Sequence, residues 1–419
     1  MLNEVTMERV VNPENMRAAY LAVKANRGAP GVDGMRVEEM EEHLRKHGAA
    51  IVSKLLEGKY QPAAVRAVEI PKANGGKRQL GIPSVIDRMI QQAIHQAMEP
   101  TFEEGFSESS YGFRPKRSAH DAVQAGQKYV AAGKKWVVDI DLRSFFDQVN
   151  HDRLMTMISR KVRDKRVLSL IGRYLRAKMQ REDGSQEARK SGTPQGGPLS
   201  PLLANIYLDP LDKELEKRGL SFVRYADDIA IFASSPRSAE RILKSVVEWL
   251  RKKLGLEVNQ EKSGSGPSGE STLLGFRLYE DGQIGISPKA IEKLKEKVKE
   301  HWEAKQSKTS NKLRDEWQRY IRGWWNNFQL ADWRREVASL SGWIRRHMRK
   351  CFWQRWHHPR GRINALKRLG IRGRSLGMAY SGLGAWAIAR HWVMHSALKT
   401  ETLNRYGFII PWDFAKSDN

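Results

Sequence analysis

The chain has 419 residues, of which 73 are lysine or arginine and 48 are aspartate or glutamate, so its formal net charge at pH 7 is +25. Self-repulsion of this size favours a polyanionic partner, and nucleic acid is the commonest one. We expect no membrane-spanning segment, because no apolar run approaches the roughly 20 residues of a spanning helix. The single cysteine, Cys351, excludes an intrachain disulfide and fits a reducing cytoplasm.

The predicted elements in the middle of the chain alternate between strands and helices. β-formers flank the acidic residues of WVVDIDL (136–142) and FVRYADDIAIFA (222–233), which predicts two strands. Helical spacing of apolar residues predicts three helices: DRMIQQAIHQAM (87–98), LLANIYLDPLDKELEK (202–217) and RILKSVVEWLRKKL (241–254). This mixture predicts an α+β core.

A hairpin and a basic helical region follow a Gly/Ser-rich loop at 260–271. The stretch TLLGFRLYEDGQIGI (272–286) contains an Asp-Gly dipeptide, which predicts a hairpin turn. Residues 289–373 carry 23 Lys and Arg against 8 Asp and Glu, together with eight of the 13 tryptophans. Their helical spacing predicts a helical domain with a basic outer face and a tryptophan-rich core. A metal site is the weaker alternative for four side chains there, because no paired C-x-x-C is present: His347, Cys351, His357 and His358.

The two acidic strands carry the residues that indicate chemistry. Asp139 and Asp141 are two residues apart, so they share one face of a strand, and Asp227 and Asp228 adjoin each other within strand-forming sequence. Adjacent carboxylates repel each other and need a counter-charge. We expect Asp227 and Asp228 to break the second strand at a hairpin. If the first strand lies beside this hairpin, the carboxylates converge on a site that suits Mg²⁺, which prefers oxygen ligands and bridges phosphates. Two such ions, roughly 3.5–4 Å apart, can clamp the attacking and leaving oxygens of a phosphoryl transfer.

The motifs around these carboxylates resemble the conserved blocks of reverse transcriptases. YADD (225–228) is similar to the fifth block, and DLRSFFD (141–147), with aromatic residues at +4 and +5 from its first aspartate, is similar to the third. Further segments resemble bacterial group II intron reverse transcriptases in the family's order: IPKANGGKRQLGIPSVIDRMIQQAI (70–94), SSYGFRPKRSAHDAV (109–123), SGTPQGGPLSPLLANIYL (191–208), LGLEVNQEKS (254–263), LLGFRL (273–278) and, in the thumb, GWWNNF (323–328). TPQGG, YADD and YGFRP together make the resemblance specific.

The resemblance implies an α+β fold of the right-hand polymerase type. It divides the chain into an N-terminal extension (1–59), fingers and palm with an antiparallel palm sheet plus helices (60–285), an α-helical thumb or maturase domain X (286–365) and a small DNA-binding segment (366–419). Many group II intron proteins also have a zinc-containing endonuclease domain with paired cysteines. Because the sequence lacks such pairs, it most resembles endonuclease-lacking proteins of the group IIC class. The resemblance also implies that the protein is located in the cytoplasm of a bacterium.

The resemblance also implies that Asp141, Asp227 and Asp228 are the catalytic carboxylates and hold two Mg²⁺ ions. Strand alternation alone does not separate Asp141 from Asp139, whereas the spacing to the two phenylalanines favours Asp141. Asp227 is the expected direct ligand. Asp228 is expected either to be a second ligand or to hold the turn and the local field.

Six substrate-binding residues are expected from the same resemblance: Lys72, Arg78, Phe146, Gln195, Gly196 and Lys262. Phe146 would lie under the sugar of the incoming nucleotide, where a bulky ring excludes a 2′-hydroxyl and so favours deoxynucleotides; a second core phenylalanine is the alternative. Lys72 and Arg78 flank the turn ANGG and would contact the triphosphate, the arginine in a bidentate manner and the lysine as a point charge.

The remaining expectations concern two later motifs. Gln195 and Gly196 in TPQGG would form a turn against the nucleotide and the template base, because glycine permits close backbone approach. Ser200 is expected to cap the helix that follows. Lys262 would meet a phosphate near the active site.

We therefore expect an RNA-directed DNA polymerase, a nucleotidyltransferase of a group II intron that also binds intron RNA to assist splicing and mobility. Its partners would be the intron RNA as template, a DNA primer or target, and dNTPs, and the sequence leaves the oligomeric state open. Two alternatives also stay open. One is a domesticated reverse transcriptase in repair or defence, which genomic context would separate. The other is a non-catalytic RNA-binding splicing cofactor, against which the complete acidic set argues.

Overall fold

The computed structural model describes residues 4–71, 77–194, 196–332 and 336–415. By its internal contacts the chain divides into two compact units, residues 1–267 and 268–419. The first unit mixes helices and strands, and the second is mainly helical, as the sequence predicts. None of the helices in these ranges is long and apolar enough to cross a membrane.

The described part of the first unit contains ten α-helices and eight strands. The helices are α1 (Met7–Val10), α2 (Pro13–Asn26), α3 (Met40–Leu56), α4 (Val85–Glu103), α5 (Ala119–Ala131), α6 (Phe145–Gln148), α7 (His151–Ser159), α8 (Lys165–Leu175), α9 (Ser200–Lys217) and α10 (Pro236–Trp249). The strands are β1 (Val65–Pro71), β2 (Lys77–Ile82), β3 (Trp136–Asp141), β4 (Met179–Gln180), β5 (Gln186–Glu187), β6 (Ser221–Tyr225), β7 (Asp228–Ala233) and β8 (Gly264–Pro267). The predicted strands and helices of the core are thereby confirmed.

Four strands form the central sheet of this unit, in the order β6-β7-β3-β8, and every neighbouring pair is antiparallel. Val138 and Ile140 on β3 and Ile229 and Ile231 on β7 are all at most 3% exposed. They share one apolar core with the buried side chains of α9. The two segments that carry the acidic residues are therefore held as adjacent strands by the burial of their β-branched neighbours.

A second sheet has the order β2-β1-β4-β5. β1 and β2 pair in antiparallel fashion from Arg66 opposite Ile82 to Pro71 opposite Lys77, so the predicted hairpin on either side of ANGG is confirmed. After β2 the chain enters α4, where the Ser84 side chain accepts a hydrogen bond from the Asp87 amide and caps the helix. The turn between the two strands, including Lys72, lies outside the described residues.

The second unit begins with a short hairpin and continues in helices. Its strands are β9 (Phe276–Leu278) and β10 (Ile284–Ile286), and the left-handed Gly282 (φ 89°) of the predicted Asp-Gly turn lies between them. Its helices are α11 (Pro288–His301), α12 (Ser310–Phe328), α13 (Glu336–Arg355), α14 (Pro359–Arg368), α15 (Ala385–Arg390), α16 (Trp392–Ala397), α17 (Thr400–Arg405) and α18 (Pro411–Ala415).

Tryptophans form the centre of the second unit. Trp302, Trp317 and Trp353 are at most 2% exposed, and the rings of Trp302 and Trp317 meet edge to face with centroids 5.4 Å apart. The predicted tryptophan-rich core is confirmed. Cys351 is buried in the same core, and burial raises the pKa of its thiol to about 11.

The metal alternative for this region is not supported. Across the described ranges, no group of three or more His, Cys, Asp or Glu residues is arranged to hold a metal ion. His347 instead packs its ring against Trp343, with centroids 4.2 Å apart, and against Trp386, at 4.7 Å. Burial, and then nearby positive charge, lowers the pKa of His347 to about 4, so its imidazole is neutral at pH 7.

Candidate active site

The two adjacent aspartates lie where β6 turns into β7. Tyr225 pairs with Asp228, so Ala226 and Asp227 alone form the connection. Ala226 has φ 57°, in the left-handed region that a two-residue hairpin turn requires and that alanine rarely adopts. We call residues 226 and 227 the acidic turn. The strand-forming sequence is thus broken by a hairpin at this point, which places both aspartates at the end of the central sheet, with Asp228 exposed and Asp227 partly buried.

Asp141 lies directly opposite Asp228, because the last residue of β3 pairs with the first residue of β7. Asp139 pairs instead with Ala230, two residues further into the sheet. The backbone of Asp141 is fixed from the other side as well. Its amide donates a 2.9 Å hydrogen bond to Ser263 Oγ, and its carbonyl accepts one of 2.9 Å from the Asn259 amide. Three of the four candidate carboxylates, those of Asp141, Asp227 and Asp228, are therefore neighbours.

The local electrostatics reflect this crowding. Partial burial, together with the negative charges of Asp227 and Asp141, raises the pKa of Asp228 to about 6. Asp228 remains open to solvent at the end of its strand, which limits the share that burial contributes. Lys262 acts in the opposite direction, with its Nζ atom 3.7 Å from Asp141 Oδ2. An extra cation at this point would lower the electrostatic cost further.

The three carboxylates fit Mg²⁺ better than a metal that needs a closed protein cage. They do not form a complete ligand set by themselves, since no cluster of three or more potential ligands with metal-site geometry occurs in the described chain. Mg²⁺ takes only one or two protein carboxylates, and water and substrate phosphates complete its octahedron. Neighbouring aspartates that are at least partly open to solvent are the donor set that such an ion requires.

Phe145 and Phe146 differ in how deeply they are buried. Phe145 is 2% exposed and belongs to the core, whereas Phe146 is only partly buried. The Phe146 carbonyl accepts a 2.7 Å hydrogen bond from the amide of Thr193, the first residue of TPQGG. A β-carbon at the left-handed Gly192 (φ 84°) would lie 2.7 Å from the same carbonyl. The third and fourth sequence blocks are therefore in direct backbone contact.

Two glycines need their small size here, and we call residues 196 and 197 the glycine turn. Gly196 has φ 128°, and a β-carbon built on it would lie 2.6 Å from the Gly81 carbonyl oxygen. A β-carbon on Gly197 would lie 2.3 Å from Gln91 Oε1. Gly196 therefore packs closely against strand β2, and its approach to the nucleotide and the template base stays a prediction. Gln195 lies outside the described residues.

The prediction that Ser200 caps α9 is wrong. The cap position belongs to Leu199, and Ser200 is the first residue of the helix. The Ser200 hydroxyl turns back and donates a 2.7 Å hydrogen bond to the Pro194 carbonyl. It therefore ties the TPQGG segment to the helix rather than satisfying an amide of the first turn.

Of the remaining predicted substrate-binding residues, the structure describes Lys262 and the backbone of Arg78. Lys72 lies outside the described residues, and the backbone of Arg78 pairs with Ile70 in the β1–β2 hairpin. Lys262 is more than half exposed beside Asp141. These residues keep their predicted roles as proposals.

Three buried polar residues behind the acidic turn were not predicted. Arg224, Asp212 and Asn205 are each 0% exposed, and Arg224 binds both Asp212 oxygens, at 2.7 and 2.6 Å. The signal in the sequence is an arginine in the apolar strand that ends in YADD, where a charged residue is rare unless paired. Its partners were not predictable, because Asp212 and Asn205 lie in another element and have the spacing of an ordinary helix face.

Comparison with protein families identifies the class. Residues 70–278 match the family model of reverse transcriptases (RNA-dependent DNA polymerases). Residues 291–370 match the maturase-specific domain of group II introns. The chain therefore contains an RNA-dependent DNA polymerase domain. With both domains in this order, it belongs with the group II intron reverse transcriptases and maturases.

Relatives agree with this assignment over about half of the chain. Protein YkfC of Escherichia coli (strain K12) is 39% identical over 218 residues, which is 51% of this chain and 57% of that protein. Group II intron-encoded protein LtrA of Lactococcus lactis subsp. cremoris is 36% identical over 219 residues, which is 51% of this chain and 36% of that protein. Because the matched region spans only 57% of the first relative and 36% of the second, their activities and partners come to this chain as proposals.

Among solved structures, a telomerase from Candida albicans in complex with a TWJ fragment of telomeric RNA is similar, at 12% identity and a TM-score of 0.49. The similarity covers 86% of this chain and 67% of that one. A likeness at this level carries no functional argument.

Proposed function

We propose that this chain copies RNA into DNA as the reverse transcriptase of a group II intron, with Asp141, Asp227 and Asp228 as its catalytic carboxylates. The observation that carries this proposal is the pairing of Asp141 with Asp228 across adjacent strands, next to Asp227 in the acidic turn. The raised pKa of Asp228 indicates that this arrangement is unfavourable without a cation. A protein that only clamps RNA has no physical need for it.

In the proposed reaction, the 3′-oxygen of a primer attacks the α-phosphorus of a dNTP, the bond to pyrophosphate breaks, and the hydroxyl proton leaves to solvent. Two Mg²⁺ ions, when bound, activate the hydroxyl and neutralise the phosphates. Asp141 and Asp227 would hold them, and Asp228 would add a ligand or set the local field. Lys262 is close enough to this group to exchange Asp141 for a substrate phosphate once the cations are in place.

The substrate side of the proposal rests on the segments that adjoin the carboxylates. Phe146, partly exposed and fixed to the TPQGG segment, would exclude a 2′-hydroxyl from the incoming nucleotide. Gln195 and Gly196 would border the nucleotide and the template base. Lys72 and Arg78 would contact the triphosphate.

The second unit would bind RNA. Its basic helices and its match to the maturase-specific domain support contacts to the phosphates of intron RNA, and thereby a role in splicing and mobility. We include in the proposal a right-hand arrangement of fingers, palm and thumb, with a DNA-binding segment from residue 366. Membership of the group IIC class belongs to the proposal as well, and a group IIC ribozyme sequence around the gene would test it.

Primer extension on an RNA template with dNTPs and Mg²⁺ tests the function. The parent chain is compared with Asp227→Asn, which keeps the size of the side chain and removes one charge. Asp152→Asn is the matched control, because Asp152 is an exposed aspartate on α7. We expect extension by the parent and the control and none by Asp227→Asn, with RNA binding equal in all three. If the parent binds RNA without extending the primer, a splicing cofactor replaces the polymerase.

A further inference from the structure

Behind the acidic turn lies a polar cluster with no contact to solvent. Asn205 and Asp212 on α9 and Arg224 on β6 are each 0% exposed. Charged side chains are almost never buried this deeply unless they are paired. The pairing here is unusually complete, because the planar guanidinium uses its Nε and Nη2 atoms on the two Asp212 oxygens.

The third nitrogen of the guanidinium reaches the acidic turn itself. Arg224 Nη1 donates a 2.9 Å hydrogen bond to the Ala226 carbonyl oxygen and another of 2.9 Å to Asn205 Oδ1. Ala226 is the residue in the left-handed conformation, so the bond acts on the strained peptide that precedes Asp227. A cation buried behind the turn thus fixes its backbone.

The same cluster holds the turn from a second direction. Asn205 Nδ2 donates a 2.9 Å hydrogen bond to the Gly112 carbonyl. Gly112 in turn lies against the acidic turn so closely that a β-carbon on it would be 2.3 Å from the Ala226 amide nitrogen. Asn205 therefore links the Gly112 backbone to the Arg224 guanidinium, with its nitrogen facing Gly112 and its oxygen facing Arg224.

Helix α9 connects this cluster to the nucleotide side of the site. It runs without a break from Ser200 to Lys217, and Ser200 at its beginning holds the Pro194 carbonyl, next to the glycine turn. Asn205 and Asp212, further along the same helix, hold the acidic turn through Arg224. One helix therefore contacts both backbone turns and links their positions.

We propose that Asn205, Asp212 and Arg224 are positioning residues, which set the acidic turn, and with it the carboxylates of Asp227 and Asp228, at a defined place relative to the glycine turn. This inference rests on the proposed polymerase function. Structural stability alone does not account for the cluster, because a buried ion pair is a weak stabiliser and an apolar pair of similar volume packs as well. The bonds to the Ala226 and Gly112 carbonyls require these polar groups.

Two variants remove the contacts in different ways. Asn205→Leu keeps the number and branching of the side-chain heavy atoms and loses both bonds of the amide. The double variant Asp212→Leu/Arg224→Met removes both buried charges together, which preserves folding better than removing one of them, and leaves the Ala226 carbonyl without its donor. Tyr174→Phe is the control for the loss of a buried hydrogen bond elsewhere in this unit, since its hydroxyl donates to Asp87 Oδ1 at 3.1 Å.

The measurements are single-nucleotide extension kinetics, binding of Mn²⁺ to the full chain followed by electron paramagnetic resonance, and far-ultraviolet circular dichroism. We expect both variants to keep the parent's circular dichroism and its KM for the dNTP within about twofold. Their kcat should fall on the order of 100-fold, as for a displacement of about 1 Å in a reacting group. Mn²⁺ binding should weaken several-fold, towards that of Asp227→Asn, and Tyr174→Phe should change neither quantity.

Several results would overturn the inference. Parent kcat and parent Mn²⁺ affinity in the double variant would show that the cluster does not position the turn. If both variants lose the circular dichroism signal of the folded chain and also lose Mn²⁺ binding, the role of the cluster is merely structural. If the parent chain does not extend a primer at all, the polymerase proposal fails, and the Mn²⁺ comparison still tests positioning on its own.

Discussion

Replacement of Gly196 by alanine separates the effect of close packing from that of backbone conformation. At φ 128° a residue with a β-carbon stores about 1–3 kcal/mol of strain. The new methyl group would also lie 2.6 Å from the Gly81 carbonyl oxygen, and because both are parts of the backbone, one of the two segments must move. Overpacking of this kind costs about 1–3 kcal/mol more.

Gly133 provides the matched control. It too has a left-handed backbone, with φ 90°, but a β-carbon there would meet nothing within 4 Å. Gly133→Ala should therefore lower the free energy of unfolding by the conformational term alone, about 1 kcal/mol. Gly196→Ala should lower it by about 2–6 kcal/mol or, if the glycine turn moves instead, should raise KM for the dNTP by about tenfold, worth about 1.4 kcal/mol of binding.

The assays are urea unfolding followed by far-ultraviolet circular dichroism and single-nucleotide extension on an RNA template. The two effects are alternatives for one clash, so at least one must appear beyond the control. Equal losses of stability in the two variants, with the parent's KM in Gly196→Ala, would refute the reasoning. The contact between the glycine turn and strand β2 would then carry no energy.

Three further predictions follow from the site. Phe146→Val should increase use of rNTPs relative to dNTPs by at least about tenfold in competition assays, whereas Phe145→Val should reduce stability and leave this selectivity unchanged. Because the pKa of Asp228 is raised to about 6, primer extension should fall below that pH as a proton displaces Mg²⁺, and the apparent pKa of the activity should move down as the Mg²⁺ concentration increases. Protonation of Asp228 should not unfold the protein, because a carboxyl group whose pKa is raised in the folded state favours that state at low pH. A loss on acidification that does not depend on Mg²⁺ would contradict this. RNA binding should weaken by about 10³-fold or more between 50 and 200 mM salt if several phosphates are contacted, and a flat response in a filter-binding titration would argue against the basic helices as the RNA surface.

Much of the fold was predictable because local sequence and tertiary structure agree. The alternation in WVVDIDL and the apolar residues around YADD predict the two strands, and the aspartates between β-formers predict the break. Strand alternation could not separate Asp139 from Asp141, because both lie on one face. Their difference is one of register, since Asp141 lies opposite Asp228 and Asp139 opposite Ala230.

The features that the sequence did not predict depend on contacts between distant elements. An arginine within an apolar strand indicates that Arg224 needs a partner, but nothing near Asp212 indicates that it is this partner, 12 residues away on a helix. Ser200 does not cap α9 because the helix begins at Ser200 itself, one residue earlier than predicted, and its hydroxyl donates a hydrogen bond to the Pro194 carbonyl in the preceding segment. The Arg224–Asp212 pair and the Ser200 hydrogen bond both depend on how α9 packs in the fold, and no short stretch of sequence determines that packing.

The tryptophan-rich core determines what an optical unfolding experiment would report. Eleven of the 13 tryptophans follow residue 267, and only Trp136 and Trp249 belong to the unit that carries the aspartates. Intrinsic fluorescence will therefore record the melting of the helical unit and will be nearly blind to that of the polymerase unit. If the two units unfold separately, a destabilised active-site variant will look intact by fluorescence while its activity is already lost. Tryptophan fluorescence alone therefore does not report whether the unit that carries the aspartates is folded.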